Sequence, residues 1–253
     1  MEKTLLRAVI EATGLSRRKA FEAIRAGRVA EGGERAIDPS RPYGGGRLTL
    51  DGAPIKAGAG GRVYLLMNKP ANVITATSDD RGRQTVLDLV PEALRALGLH
   101  PVGRLDRDTT GLLLLTNDGD LTYSLTHPKH EVEKEYWVAS EGGLSEEAID
   151  SLRHGVMLDG KPRPADVQRL RGQEPYDISI TIREGRRRQV RRMLLAVGSA
   201  VRRLKRAREG QLRLGDLPEG AVRPLRSEEL RLLGLPPPAS RPGQTKARAE
   251  RHR

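Results

Sequence analysis

The sequence predicts an α+β protein: a mixed, largely antiparallel central sheet with flanking helices, preceded by a small α+β module. Three observations carry this. Strand-like runs and helix-like periodicities interleave without the regular strand–helix–strand rhythm of a parallel sheet. A glycine-rich stretch, KAGAGGR at residues 56–62, separates a short leading segment from the remainder. The 253 residues are 37% hydrophobic, enough for a real core, but only 3% aromatic, so packing must rest on Leu, Val, Ile and Ala. The expected organisation is a module over 1–57, a linker at 58–62, a main domain over 63–235 and a disordered basic tail over 236–253.

In the leading module, Leu5, Leu6, Val9 and Ile10 have helical spacing and Gly14 supplies a stop. Ser16 then reads as the N-cap of a second helix, RRKAFEAIRAG, closed by Gly27. Phe21 and Ile24 are expected to face inward from it, and Arg17, Arg18, Lys19 and Arg25 outward. RLTLDG, near residue 50, alternates as a strand and ends on Asp-Gly. The module holds 11 basic and 7 acidic residues, a modest excess.

In the main domain, VYLLMNKP from Val63 reads as a strand stopped by Pro70. Further strands are expected at 112–115, at KEYWVA from Lys134, and at DISITIR from Asp177, where Ile178, Ile180 and Ile182 share one face. SEEAIDSLRHG reads as a helix with Ser145 as cap and acids in its first turn. The tail, PPPASRPGQTKARAERHR, is Pro-led, polar and basic.

Two stretches stand apart chemically. In GRLDRDTTGLLLLTNDG, residues 103–119, four charges in five positions precede four leucines that read as a short buried strand. Carboxylates at the mouth of an apolar strand are either pinned by a partner or kept for chemistry. In REGRRRQVRRMLLAVG, Val190, Met193, Leu194 and Val197 form one helical stripe, with Arg188 and Arg192 opposite it and Arg191 on its flank. Residues 183–208 hold 11 basic residues and one acid, most of the chain's formal net charge of +12. Like charges so concentrated repel one another, and a polyanionic partner, the phosphate backbone of a nucleic acid, relieves that.

Cysteine is absent, which excludes disulfides, thiolate nucleophiles and cysteine-based metal sites and fits a cytoplasmic protein. The first 14 residues are too short and interrupted in their apolar character for a signal peptide, and no segment approaches a membrane span. His127 and His130 have i, i+3 spacing but no adjacent carboxylate cluster beyond Glu131 and Glu133, so they read as surface or RNA-contact histidines, and no metal is expected. Trp137, next to Tyr136 on an alternating strand, is expected to point the opposite way, into core.

Taken alone, Asp106 is a turn carboxylate like many others. The wider pattern changes that. GRLDRDTTGLLLLTNDG, with LLMNKP before it and HPKHEVEKEYWV and EGRRRQVRRM after it, closely resembles the RsuA-type family of ribosomal RNA pseudouridine synthases. Residues 1–57 resemble the S-four-like RNA-binding module that commonly precedes that catalytic domain, although EGGERAIDPSRPYGGG is richer in Gly and Pro than its usual pattern. The resemblance runs from about Thr4 to about Leu230 and implies the pseudouridine synthase fold with an RNA-binding cleft.

It further implies that Asp106 is the catalytic nucleophile, that Tyr136 lies against the target base, and that Arg191, in Gln-Val-Arg, pairs with Asp106. Arg104 corresponds to the arginine that holds the flipped-out nucleotide, and Lys69 with Pro70 borders the site. Arg17, Arg18, Lys19, Arg25, Arg186, Arg188 and Arg192 are the further expected RNA contacts, with Lys69 counted among them. Asp108 is the rival nucleophile, two residues on.

The chemistry fits these residue types independently. Isomerising uridine to pseudouridine needs a carboxylate nucleophile, a stacking ring and positive charge, with no cofactor and no second substrate. The uridine must leave its stack to be reached, and a guanidinium keeps an enclosed carboxylate ionised against desolvation. The expected partner is ribosomal RNA, free or in pre-ribosomal particles, bound by a monomer away from membranes. DDRGRQTVLDLVP inclines the expectation towards a large-subunit target. The competing readings are a non-catalytic ribosome-assembly factor on the same scaffold and a DNA-binding protein. The first would be favoured by an altered aspartate or arginine motif, and the second leaves GRLD unexplained.

Overall fold

The computed structural model describes residues 3–15, 17–55 and 61–236. Ser16, most of the expected linker and the tail beyond residue 236 lie outside the described residues. The leading module begins with helix α1 (Leu5–Thr13), which buries Leu5, Leu6, Ala8 and Val9 and ends where Gly14 turns left-handed at φ 69°. Helix α2 (Arg17–Arg25) follows, then strands β1 (Val29–Glu31), β2 (Glu34–Ala36), β3 (Leu48–Leu50) and β4 (Ala53–Pro54) in one sheet of order β2-β1-β3-β4.

Arg17, Arg18, Lys19 and Arg25 are exposed as expected. Phe21 is not inward: it is 46% exposed, because the buried stripe of α2 runs through Ala20, Ala23 and Ile24 and leaves position 21 off it. The module meets the rest of the chain directly. Arg7 pairs with Asp120, and Gly14 lies so close to Gly98 that a Cβ at Gly98 would stand 2.0 Å from the Gly14 carbonyl oxygen.

The second part runs β5 (Tyr64–Lys69), α3 (Glu92–Arg95), β6 (His100–Pro101), β7 (Thr110–Thr116), α4 (Gly119–Thr126), β8 (Lys134–Ser140) and α5 (Glu146–His154). It continues β9 (Val156–Leu158), β10 (Lys161–Arg163), β11 (Asp166–Arg169), β12 (Ile178–Ile182), α6 (Gln189–Ala196), β13 (Val201–Glu209), β14 (Leu212–Arg213), β15 (Val222–Pro224) and α7 (Ser227–Leu232). Nine strands make one sheet, ordered β11-β12-β8-β13-β7-β5-β15, with β6 beside β7 and β14 beside β13. The β13–β7 contact is parallel and the other pairings are antiparallel, which is the mixed α+β class expected.

Strand β7 explains the four leucines. Leu113 and Leu115 pack into one core with α5, α6 and the isoleucines of β12, whereas Leu112 and Leu114 pack into a second core with Leu121, Leu125 and Leu230. A strand covered on both faces has no polar side to alternate with. Gly111, the second residue of this strand, has φ 106°, and a Cβ there would stand 2.3 Å from the Arg206 carbonyl oxygen. Its bare backbone lets β13 approach β7 closely.

The helix stripe in the arginine segment is present, with Val190, Met193 and Leu194 buried. The helix itself starts only at Gln189. Arg188 is therefore not opposite the stripe: it is the N-cap residue, in the left-handed region at φ 50°. Trp137 does point away from Tyr136, but not into core. It is half-buried on the other face, with its indole N–H donated to Glu135 at 3.1 Å and Lys205 over its ring.

Candidate active site

The loop over residues 103–109 delivers Asp106 to the mouth of a cavity of about 580 Å³, lined among others by Arg104, Asp106, Tyr136, Arg188, Leu204 and Arg206. The residues just after β5 tie this loop down. The Thr75 hydroxyl donates to the Leu105 carbonyl at 2.8 Å and accepts the Leu105 N–H at 3.2 Å. The Asn72 N–H donates to the Arg107 carbonyl at 2.8 Å. With Leu105 packed in the core, the loop is fixed on both sides of Asp106. Asp106 itself is half-buried, and among the described residues its carboxylate has no hydrogen-bond or ion-pair partner. It is left to the cleft.

Lys69 completes the clamp, and here the expectation of an RNA contact fails. Lys69 is 0% exposed, and its ammonium donates to the carbonyls of Pro70 at 2.9 Å, Arg107 at 3.2 Å and Thr109 at 2.9 Å. A group enclosed in this way cannot meet phosphate. It holds the backbone of the Asp106 loop from below. Burial lowers its pKa to about 8, opposed by the charges of Asp108, Glu219 and Asp106.

The expected pair between Arg191 and Asp106 is not formed. Arg191 Nη2 stands 3.0 Å from Asp108 Oδ2, and the guanidinium also donates to the carbonyls of Val201 at 3.2 Å and Asp108 at 3.3 Å. The Arg191 side chain is only 11% exposed. Burial lowers its pKa, and Asp108, then Asp106, act against that. Asp108, the rival nucleophile, is exposed and engaged by both Arg191 and Arg188, the latter at 3.4 Å.

Tyr136 is buried in the cavity wall, where burial raises the pKa of its phenol and the Arg206 charge opposes the rise. Arg104 is exposed on the rim and has no ion-pair partner among the described residues.

The other arginines of the segment are less free than their density suggested. Arg192 and Arg186 both pair with Asp159, in the β9–β10 turn, at 2.6 and 3.3 Å, and Arg186 also pairs with Glu184 at 2.9 Å. Gln189 ties the approach to α6, donating to Glu184 at 2.8 Å and accepting the Arg186 N–H at 3.1 Å. Exposed Arg187, also lining the cavity, has no ion pair with any described residue. His127 lines the cavity too and packs against Tyr123, ring centroids 4.7 Å apart and planes tilted by 45°, and Tyr123 also meets His130.

Sequence reasoning passed over Arg206, Glu209 and Thr75. Arg206 was counted only as one charge among 11, because the alternation of β13 is broken within its length.

A family model described as RNA pseudouridylate synthase matches residues 63–196. The chain is 38% identical over 234 residues to the Bacillus subtilis protein named ribosomal large subunit pseudouridine synthase B, covering 90% of this chain and 94% of that one. It is 38% identical over 211 residues to the Yersinia pestis protein named ribosomal small subunit pseudouridine synthase A, covering 83% and 86%. A crystal structure described as a pseudouridylate synthase superposes with a TM-score of 0.65 at 33% identity, covering 91% of this chain and 99% of that one.

Proposed function

Because this chain belongs to the RNA pseudouridylate synthase family, we propose that it isomerises a specific uridine of ribosomal RNA to pseudouridine with Asp106 as the nucleophile. The observation that carries the reading is the Asp106 carboxylate, unpartnered among the described residues, in a cavity that is also lined by Tyr136 and rimmed by Arg104, Arg187 and Arg188. The N1–C1′ bond of the uridine breaks, the uracil turns over, and C5 joins C1′. C5 loses its proton and N1 gains one, so no atoms are added or removed overall. Asp106 offers an electron pair to C1′ as the N1–C1′ pair leaves with N1, and takes it back as C5 bonds to C1′, so the carboxylate is regenerated.

In this reading the uridine is extruded from its stack into the cavity. Arg104 holds its phosphate side and Tyr136 lies against its base. Arg191 acts through Asp108, holding the loop rather than touching Asp106. Arg187 and Arg188 meet the RNA backbone beside the cavity, and Arg17, Arg18, Lys19 and Arg25 meet it further away. The chain acts as a monomer in the cytoplasm, on RNA free or within assembling particles. Its favoured target is the large-subunit RNA, in line with the name of the Bacillus subtilis relative. The non-catalytic reading loses its support, since Asp106, Tyr136 and Arg191 are all present.

The test is to map pseudouridine in both ribosomal RNAs of a deletion strain, with and without the gene restored as parent or as Asp106→Asn. One site should vanish on deletion and return only with the parent. A site restored by Asp106→Asn would defeat the assignment.

A further inference from the structure

Behind Tyr136 lies a charged pair that neither stability nor RNA binding accounts for. Arg206 and Glu209 are each 1% exposed, and Arg206 Nη2 stands 3.3 Å from Glu209 Oε2. Lys134 Nζ is 4.0 Å from the other oxygen of Glu209. Arg206 Nε donates to the Leu112 carbonyl at 2.8 Å. Yet Arg206 Nη2 and both Glu209 oxygens lack a well-aligned hydrogen bond among the described residues. A buried ion pair left so incompletely satisfied is a poor stabiliser, and apolar side chains of similar size generally do as well or better there.

The backbone goes out of its way to make this pair. Residues three apart on a regular strand point to opposite faces. Along β13, however, Arg206 is opposite Tyr136, Arg208 opposite Glu135 and Glu209 opposite Lys134. The extra residue, Ala207, is a β-bulge. It restores the parity, so Arg206 and Glu209 come to lie on the same face as Tyr136 and Lys134. Bulges are over-represented beside active sites, where they re-aim side chains. Arg206, Tyr136, Lys134 and Asp106 all line the same cavity.

We propose that Arg206 and Glu209 are a positioning pair for the reaction: Glu209 holds the Arg206 guanidinium, and Arg206 holds Tyr136 in the orientation that receives the uracil. The inference rests on the proposed synthase activity and adds two residues to its machinery. Neither touches substrate. Both act through the phenol.

The test uses the full-length protein and unmodified transcripts of both ribosomal RNA subunits. It measures the single-turnover rate of pseudouridine formation, the enzyme concentration giving half the maximal rate, and thermal melting. Arg206→Met leaves buried Glu209 with only the Lys134 ammonium at 4.0 Å, and Glu209→Leu leaves buried Arg206 without an anion, so each should lower the melting temperature and slow the reaction at least about tenfold. The double variant removes both charges and should regain the melting temperature while its rate stays at least about tenfold down, with half-saturation within about threefold of the parent.

A double variant that recovers the rate together with the stability would overturn the inference, since the pair would then be structural only. If the double variant does not fold, Glu209→Gln keeps the volume and removes the charge. It should slow the reaction at least about threefold with a smaller loss of melting temperature than Glu209→Leu, because the amide still accepts a hydrogen bond, and an unchanged rate counts against the pair. A parent that makes no pseudouridine in either RNA, whether free or within assembling ribosomal particles, would instead sink the synthase reading itself.

Discussion

The Arg191 guanidinium grips Asp108 twice, by its side chain at 3.0 Å and by its backbone carbonyl at 3.3 Å, and reaches the Val201 carbonyl at 3.2 Å as well. One buried cation thereby fastens the chain two residues beyond Asp106 to the start of β13. Removing either partner should let the loop drift, and a displacement of about 1 Å at a reacting group can cost about a hundredfold in rate. Arg191→Met and Asp108→Asn should therefore each slow the single-turnover rate between about tenfold and a hundredfold. Combined, they should do little more than Arg191→Met alone, because the Asp108 side-chain contact is one of those that Arg191→Met already removes. Fully multiplicative losses would separate the two residues.

Asp106→Asn differs in kind. The amide keeps the shape and the hydrogen-bonding size of the side chain but is a poor nucleophile. Pseudouridine formation should fall below detection while RNA affinity stays within about twofold, because the amide leaves the cationic rim that meets phosphate untouched. Asp108→Asn, by contrast, should retain measurable turnover. The opposite ranking of these two variants would transfer the nucleophile to Asp108.

Lys69 gives a pH-dependent expectation. Its pKa is about 8 in the fold, below the ordinary lysine value of about 10.4. Between these values the unfolded chain binds more protons than the folded one, so the Lys69 contribution to stability rises as pH rises through that window. Below about pH 8 both states hold the proton and the burial cost is fully present. The whole effect is on the order of 3 kcal/mol. Parent and Lys69→Met, unfolded in urea at pH 7.5 and at pH 10, should differ in how stability changes between the two pH values. The parent should gain relative to the variant, and parallel behaviour would contradict the clamp.

Gly111 is the position where the sheet leaves no room. A methyl group there meets the Arg206 backbone at 2.3–2.9 Å, and φ 106° disfavours any side chain. Gly111→Ala should cost at least about 2 kcal/mol in urea unfolding, through forced backbone shift. The same shift moves Arg206, so catalysis should fall further than stability alone dictates. A fully stable, fully active variant would mean that β13 can retreat freely.

Helix stripes such as Val190, Met193 and Leu194, and the alternation of Ile178, Ile180 and Ile182, were legible in the chain because they follow from local periodicity, and they appear as expected. The cap at Ser145 does too, its hydroxyl accepting the Ala148 N–H. Burial of charge does not follow from local periodicity. Lys69 follows five residues of an apolar strand and reads as its wet end, yet the carbonyls of Pro70, Arg107 and Thr109 enclose it. Arg206 and Glu209 share a face only because one residue bulges out of β13, and no spacing announces that. The resemblance implied Asp106 as the partner of Arg191, whereas the fold gives it Asp108, two positions on, and no spacing separates the two.

The leading module makes its own demand on RNA binding. Its helix α2 presents exposed Arg17, Arg18, Lys19 and Arg25, and Arg18 faces Glu22 at 3.8 Å. None of the residues assigned to chemistry lies in this module. Deleting the module would also remove the Arg7–Asp120 ion pair and the Gly14–Gly98 approach, so substitution is the cleaner probe. Arg17→Gln combined with Arg25→Gln should weaken binding to ribosomal RNA. It should also reduce the slope of log affinity against log salt by up to about 0.7–0.9 for each phosphate no longer neutralised. The single-turnover rate at saturating enzyme should stay within about twofold of the parent, because chemistry at Asp106 draws nothing from α2. Filter binding at several salt concentrations, beside a rate measurement at saturation, decides it. An unchanged salt slope would remove α2 from the RNA-binding surface, and a collapsed saturating rate would show that the module shapes the active site itself.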